Sequence, residues 1–354
     1  MGIDFLIIGQ GLAGSLLAWE LIRRGCSVVV VDNGKENASK IAAGLINPIT
    51  GMRFVKTDDV DTLLTTATDY YLHLADFFQQ QFFIEKPMLR IFRSENEERD
   101  AGKRLNNSDY RRYIGDIRTD TNSIAPISAP YGFLEQNRTG YLLTRPLLEC
   151  LKGFFISRNS YRKGDFDYRE VILNPTLQWR DIYPGHIIFC EGHRATQNPW
   201  FSWLPFKPVK GEILTLEHQS RLPDKILNYG NWLIPLNAHQ IRIGATFDRE
   251  NLNTQPTEKG KNELFEALRQ LMPSLVPSAL VAHQANIRPS TSDRHPLVGS
   301  HPELDQLAIF NGFGAKGSLQ IPWYSRHFAD SLLNGTPLLP TCDIRRCIYT
   351  PSPT

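Results

Sequence analysis

The sequence predicts an α/β fold that contains a parallel-sheet unit, in a chain long enough for two domains. Three observations predict it. The chain opens with an apolar run, a glycine-rich turn, an amphipathic segment and a second apolar run, typical of a β-turn-α-β unit. A similar strand, glycine loop and helix recur near residue 307. At 354 residues, the chain is also too long for one simple hydrophobic core.

The composition is that of an ordinary globular protein, with 41% hydrophobic and 21% charged residues. The 39 basic and 37 acidic residues leave a net charge of +2, which provides no electrostatic reason to expect nucleic acid or an anionic membrane as partner. Five scattered cysteines predict reduced thiols, and we expect a cytoplasmic location. Cys342 and Cys347 have no second pair or histidine cluster beside them, so no metal site is predicted. No apolar run is long enough to cross a bilayer.

The opening unit has the spacing of a dinucleotide-binding turn. Residues 3–8 and 27–32 are apolar runs that predict strands buried on both faces. A glycine triplet opens the helix between them: Gly9, Gly11 and Gly14. This combination predicts a Rossmann-like unit, and the alternative is a glycine turn in an unrelated α/β fold.

Each residue of this fingerprint has its own physical role. Gly9 permits the tight turn, Gly11 lets the backbone approach a pyrophosphate, and Gly14 lets the helix pack against the strand. The helix N-terminus offers N–H groups and a positive dipole end to the phosphates. Asp32, which lies 23 residues after Gly9, is placed to bind a ribose 2′-hydroxyl and disfavours the extra phosphate of NADP. The residues expected at the dinucleotide are Gly9, Gly11, Leu12, Ala13, Gly14, Asp32 and Asn33.

Two later segments favour a flavin over a nicotinamide. The loop KIAAGLINPITG (40–51) consists of small residues that allow close approach to a flat ring, unless it is a plain surface turn. Near the C-terminus, a glycine loop precedes a helix predicted at 321–333, with Pro322 in its first turn. This helix end is expected to face the N1/C2=O locus of a flavin, unless it only caps the helix. The residues expected at the flavin are Ala42, Ala43, Gly44, Leu45, Gly312, Gly314, Ala315, Lys316 and Gly317.

With these segments in order, the chain resembles the D-amino-acid-oxidase-like (DAO) family of FAD-dependent oxidoreductases. Within it, the glycine oxidases and the oxidase domain of the bifunctional tRNA methylaminomethyl-uridine enzyme look nearest. The resemblance spans nearly the whole chain. Beyond the fingerprint and the flavin loop, it includes GYLLTRPLLECL (140–151), HIIFCEGHRA (186–195), PVKGEILTLE (208–217), IRIGATFD (241–248) and IRPSTSDRHPLVG (287–299).

The resemblance implies a glutathione-reductase/DAO-type architecture, in which a Rossmann-like FAD-binding domain is interleaved with an α+β substrate domain built on a mixed sheet with flanking helices. The FAD-binding domain would comprise residues 1–75, 140–205 and 281–335, the substrate domain residues 76–139 and 206–280, and a tail residues 336–354. It also places Glu191 and Gly192 under the pyrophosphate, although the family usually has Ala or Thr where this chain has Glu191. Because no Cys stands at Pro289 or Ser290, where some members attach the flavin, non-covalent FAD is expected.

For the substrate, the resemblance implies that Arg288 binds a carboxylate through two guanidinium N–H groups, a bidentate geometry that Lys cannot form. The alternative is an arginine at the domain interface. Lys316 is expected to favour the anionic reduced flavin or to assist oxygen, unless it is a solvated surface residue. Asn47 is expected to face the site or to stabilise a turn. Tyr229 and Trp232 are expected to wall the pocket or to belong to the core. No acid or base is assigned.

The predicted function is therefore an FAD-dependent oxidoreductase, either oxidase or dehydrogenase. It would oxidise the CH–NH bond of an amino acid or secondary amine by hydride transfer to flavin N5, with O2 or another carrier as electron acceptor. One alternative is an oxidase for an alkylamino-modified tRNA uridine. The near-neutral charge and the lack of a methyltransferase domain in this sequence argue against it. The other alternative is a non-catalytic flavin-binding protein.

Overall fold

Two large sheets organise the protein, and a computed structural model describes residues 1–275, 277 and 279–348. Within these residues, the strands are β1 Gly2–Ile8, β2 Val28–Asp32, β3 Leu45–Ile46, β4 Ile49–Thr50, β5 Val55–Lys56, β6 Phe83–Glu85, β7 Met88–Ile91, β8 Phe133–Gln136, β9 Gly140–Leu142, β10 Tyr161–Lys163, β11 Val171–Ile172, β12 Gln178–Trp179, β13 Tyr183–Phe189, β14 Val209–Glu217, β15 Ile226–Asn228, β16 Trp232–Pro235, β17 Gln240–Gly244, β18 Ala279–Arg288, β19 Leu297–Ser300 and β20 Leu307–Asn311. The helices are α1 Leu12–Arg23, α2 Ala38–Ile41, α3 Val60–Phe78, α4 Glu95–Leu105, α5 Ser108–Arg111, α6 Thr144–Ser157, α7 Glu258–Leu271 and α8 Gly317–Asn334.

The first sheet has the strand order β10-β2-β1-β13-β20-β19 and is parallel except at β19. Its central strands are nearly continuous Val, Ile, Leu and Phe, because core side chains cover them on both faces. Helices α1, α3, α6 and α8 contribute to the core cluster on one face. The opening unit therefore folds as the sequence predicts, with β1 and β2 as adjacent inner strands of this sheet and α1 packed on one face.

The second sheet is mixed, with the order β18-β14-β17-β16-β15-β7-β8. One face packs on helix α7, through Leu264, Leu268 and the leucines of β14. Since paired residues in a sheet share a face, the register places Trp232 of β16, Arg242 of β17 and Arg288 of β18 on the opposite face. We call this opposite face, defined by Trp232, Arg242 and Arg288, the arginine face.

The boundary expected at residue 281 falls inside a strand of the second sheet. Strand β18 pairs with β14 from Ala279 to Arg288, and the last pair joins Val209 to Arg288. Residues 281–288 therefore belong to the second sheet and not to the first, because the backbone hydrogen bonds of a ten-residue strand hold them there. The expected tail begins at residue 336, directly after Gly335, the C-cap of α8, and its residues 349–354 lie outside the described part of the chain.

Helix α8 begins at Gly317, four residues before the predicted start, so Pro322 lies inside the helix and not in its first turn. Proline has no N–H group to donate to the carbonyl four residues earlier, which is that of Ser318. That carbonyl instead accepts a hydrogen bond of 2.7 Å from the buried Tyr71 hydroxyl of α3. The sequence pattern missed these four residues because a side chain from another helix replaces the lost bond.

No helix in the described part of the chain is both long and apolar enough to cross a membrane.

Gly14 is the tightest packing position of the first unit. A Cβ atom at Gly14 would overlap the carbonyl oxygen of Gly9 and approach the Cβ of Cys190 to 3.1 Å. Helix α1 can therefore lie this close to the turn only because residue 14 has no side chain.

We predict that Gly14→Ala lowers the free energy of unfolding by about 1–3 kcal/mol, because α1 must move away from the turn. Gly153→Ala is the matched control in helix α6. Nothing lies within 4 Å of a Cβ there, so that alanine should stabilise the protein by about 0.5–1 kcal/mol. Urea denaturation measures both, and equal effects of the two substitutions would contradict the packing explanation.

Candidate functional site: a dinucleotide cleft facing an arginine-bearing sheet

The turn between β1 and α1 is shaped by backbone contacts. Gly9 has φ +107°, and a Cβ there would lie 2.6 Å from the carbonyl oxygen of Cys190 at the end of β13. Gly11 precedes α1 with extended backbone and forms no side-chain cap. Residue 11 therefore places no side chain over the N-terminus of α1, and this leaves room for the diphosphate of a dinucleotide.

Asp32, at the end of β2, holds the turn from the other side. Its carboxylate accepts hydrogen bonds from the backbone N–H of Gln10 at 3.0 Å and of Gly34 at 2.7 Å. Asp32 and the N-terminus of α1 therefore lie beside each other, as the predicted ribose and phosphate contacts require. The side chain of Asn33 turns away, donating to Asp165 at 2.9 Å.

Ser39 is a site residue that the sequence reasoning missed. Its hydroxyl accepts a hydrogen bond of 3.0 Å from the backbone N–H of Leu12, the first residue of α1. A hydroxyl at this helix end lies where the phosphates of a dinucleotide are expected. The signal was present in the sequence, since the run NAS (37–39) opens the short helix α2 with Asn37 as its cap.

Glu191 follows β13 and is turned into the protein. Its carboxylate accepts hydrogen bonds from the Tyr168 hydroxyl at 2.7 Å and from the Asn198 amide at 2.9 Å. Loss of solvation on burial raises its pKa, and the two hydrogen bonds oppose that shift. The side chain is thus a half-buried group that two hydrogen bonds hold in the protein, and Gly192 offers only its backbone to the cleft. The Gly192 carbonyl accepts a hydrogen bond of 2.9 Å from the Asn311 amide, and this bond connects the end of β13 to β20.

The small-residue loop lies against strand β9. Gly44 has φ +71°, and its carbonyl accepts from the Leu142 N–H at 2.9 Å. A Cβ at Gly44 would overlap the carbonyl of Leu142, so this position requires glycine. The neighbouring Ala43 and Leu45 pack in a cluster that includes Trp232 of the arginine face. The loop therefore joins the first part of the fold to the second sheet.

The loop before α8 packs on the segment that follows Arg288. Gly312 has φ +82°, and a Cβ there would lie 2.9 Å from Cγ2 of Thr291. Gly314 has φ +52° and approaches Ser290. Gly317 begins the helix, and Ala315 is exposed. The structure thus brings the two segments that were singled out separately, 287–299 and 312–317, into contact.

Arg288 lies across the arginine face without a carboxylate partner among the described residues. Its Nη2 donates to the Thr246 carbonyl at 2.8 Å, and its buried Nε has no acceptor in that part of the chain. Glycine makes room for it, because a Cβ at Gly211 would lie 2.8 Å from Nη2. Loss of solvation lowers the pKa of Arg288. An unpaired, partly desolvated guanidinium favours a bound carboxylate.

Trp232 lies on the same face and is also accommodated by a glycine. A Cβ at Gly244 would lie 2.6 Å from Cζ2 of Trp232. Tyr229 is not brought to this group. Its ring belongs to the same core cluster as Leu227 and Leu233, on the face of the second sheet that packs on α7, because the chain reverses between β15 and β16. The expectation that Tyr229 walls the pocket beside Trp232 is therefore corrected.

Lys316 is half-buried at the start of α8, where its Nζ donates to Thr57 Oγ1 at 3.2 Å. Loss of solvation lowers its pKa, and the Arg294 cation lowers it further, against the opposing effect of Asp58. Lys316 is thus not a freely solvated surface lysine. Asn47 stabilises a turn, which is one of the two roles expected for it, since its Oδ1 accepts a hydrogen bond of 3.1 Å from the Ile49 N–H. Its amide lies 3.6 Å from the Met88 sulfur, beside the Trp232 cluster.

A family model described as FAD dependent oxidoreductase (DAO) matches residues 4–144 and 170–331 of this chain. The chain is 24% identical to the tRNA 5-methylaminomethyl-2-thiouridine biosynthesis bifunctional protein MnmC of Marinobacter nauticus, over 98% of this chain and 58% of that protein. It is 22% identical to the glycine oxidase of Pseudomonas aeruginosa, over 94% and 96% of the two chains. The chain thus spans little more than half of MnmC.

Solved structures share the fold. The glycine oxidase of Geobacillus kaustophilus superposes with a TM-score of 0.81 at 19% identity, covering 95% of this chain and 96% of that one. Iminodiacetate oxidase from Chelativorans superposes with a TM-score of 0.75 at 20% identity, covering 94% and 96%. These similarities confirm the predicted fold class.

We predict that Glu191→Gln stabilises the protein at pH 7, by about 1 kcal/mol. The amide oxygen accepts from the Asn198 amide, the amide N–H donates to the Tyr168 hydroxyl in a bond of reversed direction, and the poorly solvated charge is removed. Because burial raises the folded-state pKa above its ordinary 4.5, the penalty is present above the folded pKa and disappears below pH 4.5, where the carboxyl is protonated in both states. The advantage of the variant should shrink as the pH falls toward 4.5.

Urea denaturation between pH 8 and 4.5 measures this difference. The control is Glu258→Gln on the exposed side of α7, which should change little at any pH. An advantage of Glu191→Gln that is independent of pH would show that the carboxylate is not penalised by burial.

Proposed function

Because the chain belongs to the FAD dependent oxidoreductase family, we propose that it oxidises the CH–NH bond of an amino acid or secondary amine. FAD is the cofactor of this family, and we propose that it is held here without a covalent bond. The dinucleotide would lie along the turn at Gly9 and Gly14, with Asp32 at its ribose. When bound, FAD supplies the acceptor for the hydride that leaves the substrate carbon.

The observation that carries the proposal is the half-buried guanidinium of Arg288 on the arginine face, which has no carboxylate partner among the described residues. Its bond to the Thr246 carbonyl restrains the guanidinium plane, and its Nε N–H has no acceptor among the described residues. A substrate carboxylate would satisfy that donor and neutralise the charge. Binding at this one point would orient the adjacent C–H bond, which is the main requirement of such a reaction.

The remaining side chains prepare the amine and exclude water. Arg288 and Lys316 place two cations near the site, and positive neighbours disfavour the protonated form of a bound amine. The substrate would therefore lose its ammonium proton to water without a dedicated base. Trp232, whose ring lies close to Gly244, would form an apolar wall. Lys316 and the N-terminus of α8 supply positive charge where negative charge develops during reduction.

A second candidate is supported by one observation, the exposed ring of Phe247. This ring is 64% exposed, and its centroid lies 5.9 Å from the guanidinium carbon of Arg288 and 5.1 Å from that of Arg249. Unpaired bases of RNA stack on aromatic rings and on arginine planes. A modified uridine that carries an alkylamino group would therefore fit the mouth of the same site. MnmC, by its name, acts in the biosynthesis of such a uridine.

We predict that glycine, sarcosine or iminodiacetate bleaches the flavin absorbance near about 450 nm under anaerobic conditions. Arg288→Ala should lower kcat/KM for these substrates by about 100-fold, mostly through KM, because a charged hydrogen bond in a desolvated site is lost. The control is Arg269→Ala, an exposed arginine of α7 that pairs with Glu266. Unchanged kinetics in Arg288→Ala would remove that residue from the site, and a flavin that no amine bleaches would indicate a non-catalytic protein.

The tRNA candidate has its own test. Retention of tRNA that falls steeply with salt, and that Phe247→Ala weakens, is the result expected for stacking on an exposed ring. Leu252→Ala, at another exposed apolar residue of the same region, is the control. This candidate would be excluded if no tRNA were retained at low salt, or if Phe247→Ala left the retention unchanged.

A further inference from the structure

A second cationic cleft lies on the arginine face, away from Arg288. It has a volume of about 240 Å³ and is formed by the flavin loop, the start of α6 and strand β17. Arg242 of β17 lies opposite Thr215 of β14, which in turn lies opposite Ala282 of β18. Ala282 is six residues away from Arg288 along β18. At about 3.4 Å per residue, the two arginines are separated by about 20 Å along the sheet. The cleft is therefore not the proposed carboxylate site.

Arg242 is the central cation of this cleft. Its Nη2 donates to the Ile41 carbonyl at 2.6 Å and its Nη1 to the Ala42 carbonyl at 3.3 Å. Loss of solvation lowers its pKa, and the Arg145 cation lowers it further. No carboxylate pairs with Arg242 among the residues that the structure describes. The guanidinium is thus desolvated beside a second cation, without a counterion.

Two more cations line the same space. Arg145, in the first turn of α6, forms a bidentate ion pair with Glu36, at 3.0 and 2.6 Å. Lys40 donates to the carbonyls of Lys35 at 3.0 Å and Gly34 at 3.4 Å. None of the residues that line the cleft is acidic. Two carboxylates lie near Arg145, its partner Glu36 and Glu149 one turn further along α6, so the three cations leave a positive excess.

We propose that this cleft is an anion site that takes a phosphate group, either free or as the monoester of a small molecule. A phosphate at neutral pH carries close to two negative charges, which the positive excess of the cleft attracts. The guanidinium fork and the ammonium are the groups that proteins use for phosphate. The first turn of the 14-residue helix α6 adds the backbone N–H groups of Thr144 and Arg145, since Pro146 has none and that of Leu147 is bonded to the Leu143 carbonyl. Since Arg242 holds the carbonyls of Ile41 and Ala42, a bound phosphate would also restrain the loop predicted to contact the flavin.

The test is calorimetric titration of the full-length, flavin-loaded protein. Inorganic phosphate and uridine 5′-monophosphate are the probes, and uridine is the uncharged control. We expect saturable binding of the two phosphates and none of uridine. Lys40→Gln should weaken that binding by roughly tenfold, since a charged hydrogen bond is lost. Lys103→Gln, which removes the same charge from an exposed position on α4, should leave it unchanged.

Arg242→Gln should weaken binding further, and circular dichroism shows whether that variant is folded. If it is not, Lys40→Gln carries the test alone. Equal affinity for the two probes identifies free phosphate as the ligand, and tighter binding of the nucleotide identifies a monoester; both support the proposal. Two results overturn it: no saturable binding of either probe, or binding that Lys40→Gln leaves intact. Retention of tRNA without binding of either probe would also overturn it.

None of these outcomes depends on amine oxidation. A protein that binds phosphate but is not bleached by any amine would contradict the proposed function and leave the cleft assigned. A protein that is bleached by an amine but does not bind phosphate would support the proposed function and overturn the assignment of the cleft.

Discussion

The close contact between helix α1 and the turn that precedes it is the constraint on which the rest of the structure depends. Gly14 lies directly against the carbonyl of Gly9, and Gly9 lies directly against the end of β13. Three backbone segments thereby meet without side chains between them. This contact holds the N-terminus of α1 beside Asp32 and Ser39, so that phosphate-binding N–H groups, a carboxylate and a hydroxyl share one small space.

Polar contacts between segments far apart in the chain hold the cleft region together. Arg242 reaches from β17 of the second sheet to the carbonyls of the small-residue loop. Within the first sheet, the Asn311 amide links the end of β20 to Gly192. Both bonds involve segments that are expected to contact the flavin, so they also shape the cleft. A substitution at either residue would disturb the cleft and the fold together.

The cleft region holds more positive charge than its own carboxylates neutralise. Arg288, Arg242 and Lys316 each have a pKa lowered mainly by loss of solvation, and two of the three have a second cation nearby. A buried charge without a counterion is costly, and the cost is offset when an anion binds. The flavin diphosphate, a substrate carboxylate and the proposed phosphate are the anions that this arrangement favours. The net charge of the whole chain, only +2, conceals this local concentration.

The sequence by itself determined the opening β-turn-α-β unit, because its information is local. Glycine spacing, apolar runs and the acid at residue 32 are all read within one short stretch, and backbone sterics leave few alternatives. The glycine loop before α8 was readable for the same reason, although the start of that helix was not, since Tyr71 from another helix replaces the bond that Pro322 cannot make.

Tertiary structure alone decided the rest. Whether Tyr229 or Trp232 faced the cleft depended on which face of one sheet each ring joined, and a shift of one residue reverses the face. Likewise, Arg242 and Arg145 are 97 residues apart in the chain, and they become neighbours only because the fold brings β17 and the start of α6 to the same cleft. Contacts between distant segments leave no periodic signal in the sequence, so the charges that meet in the cleft became visible only in the folded chain.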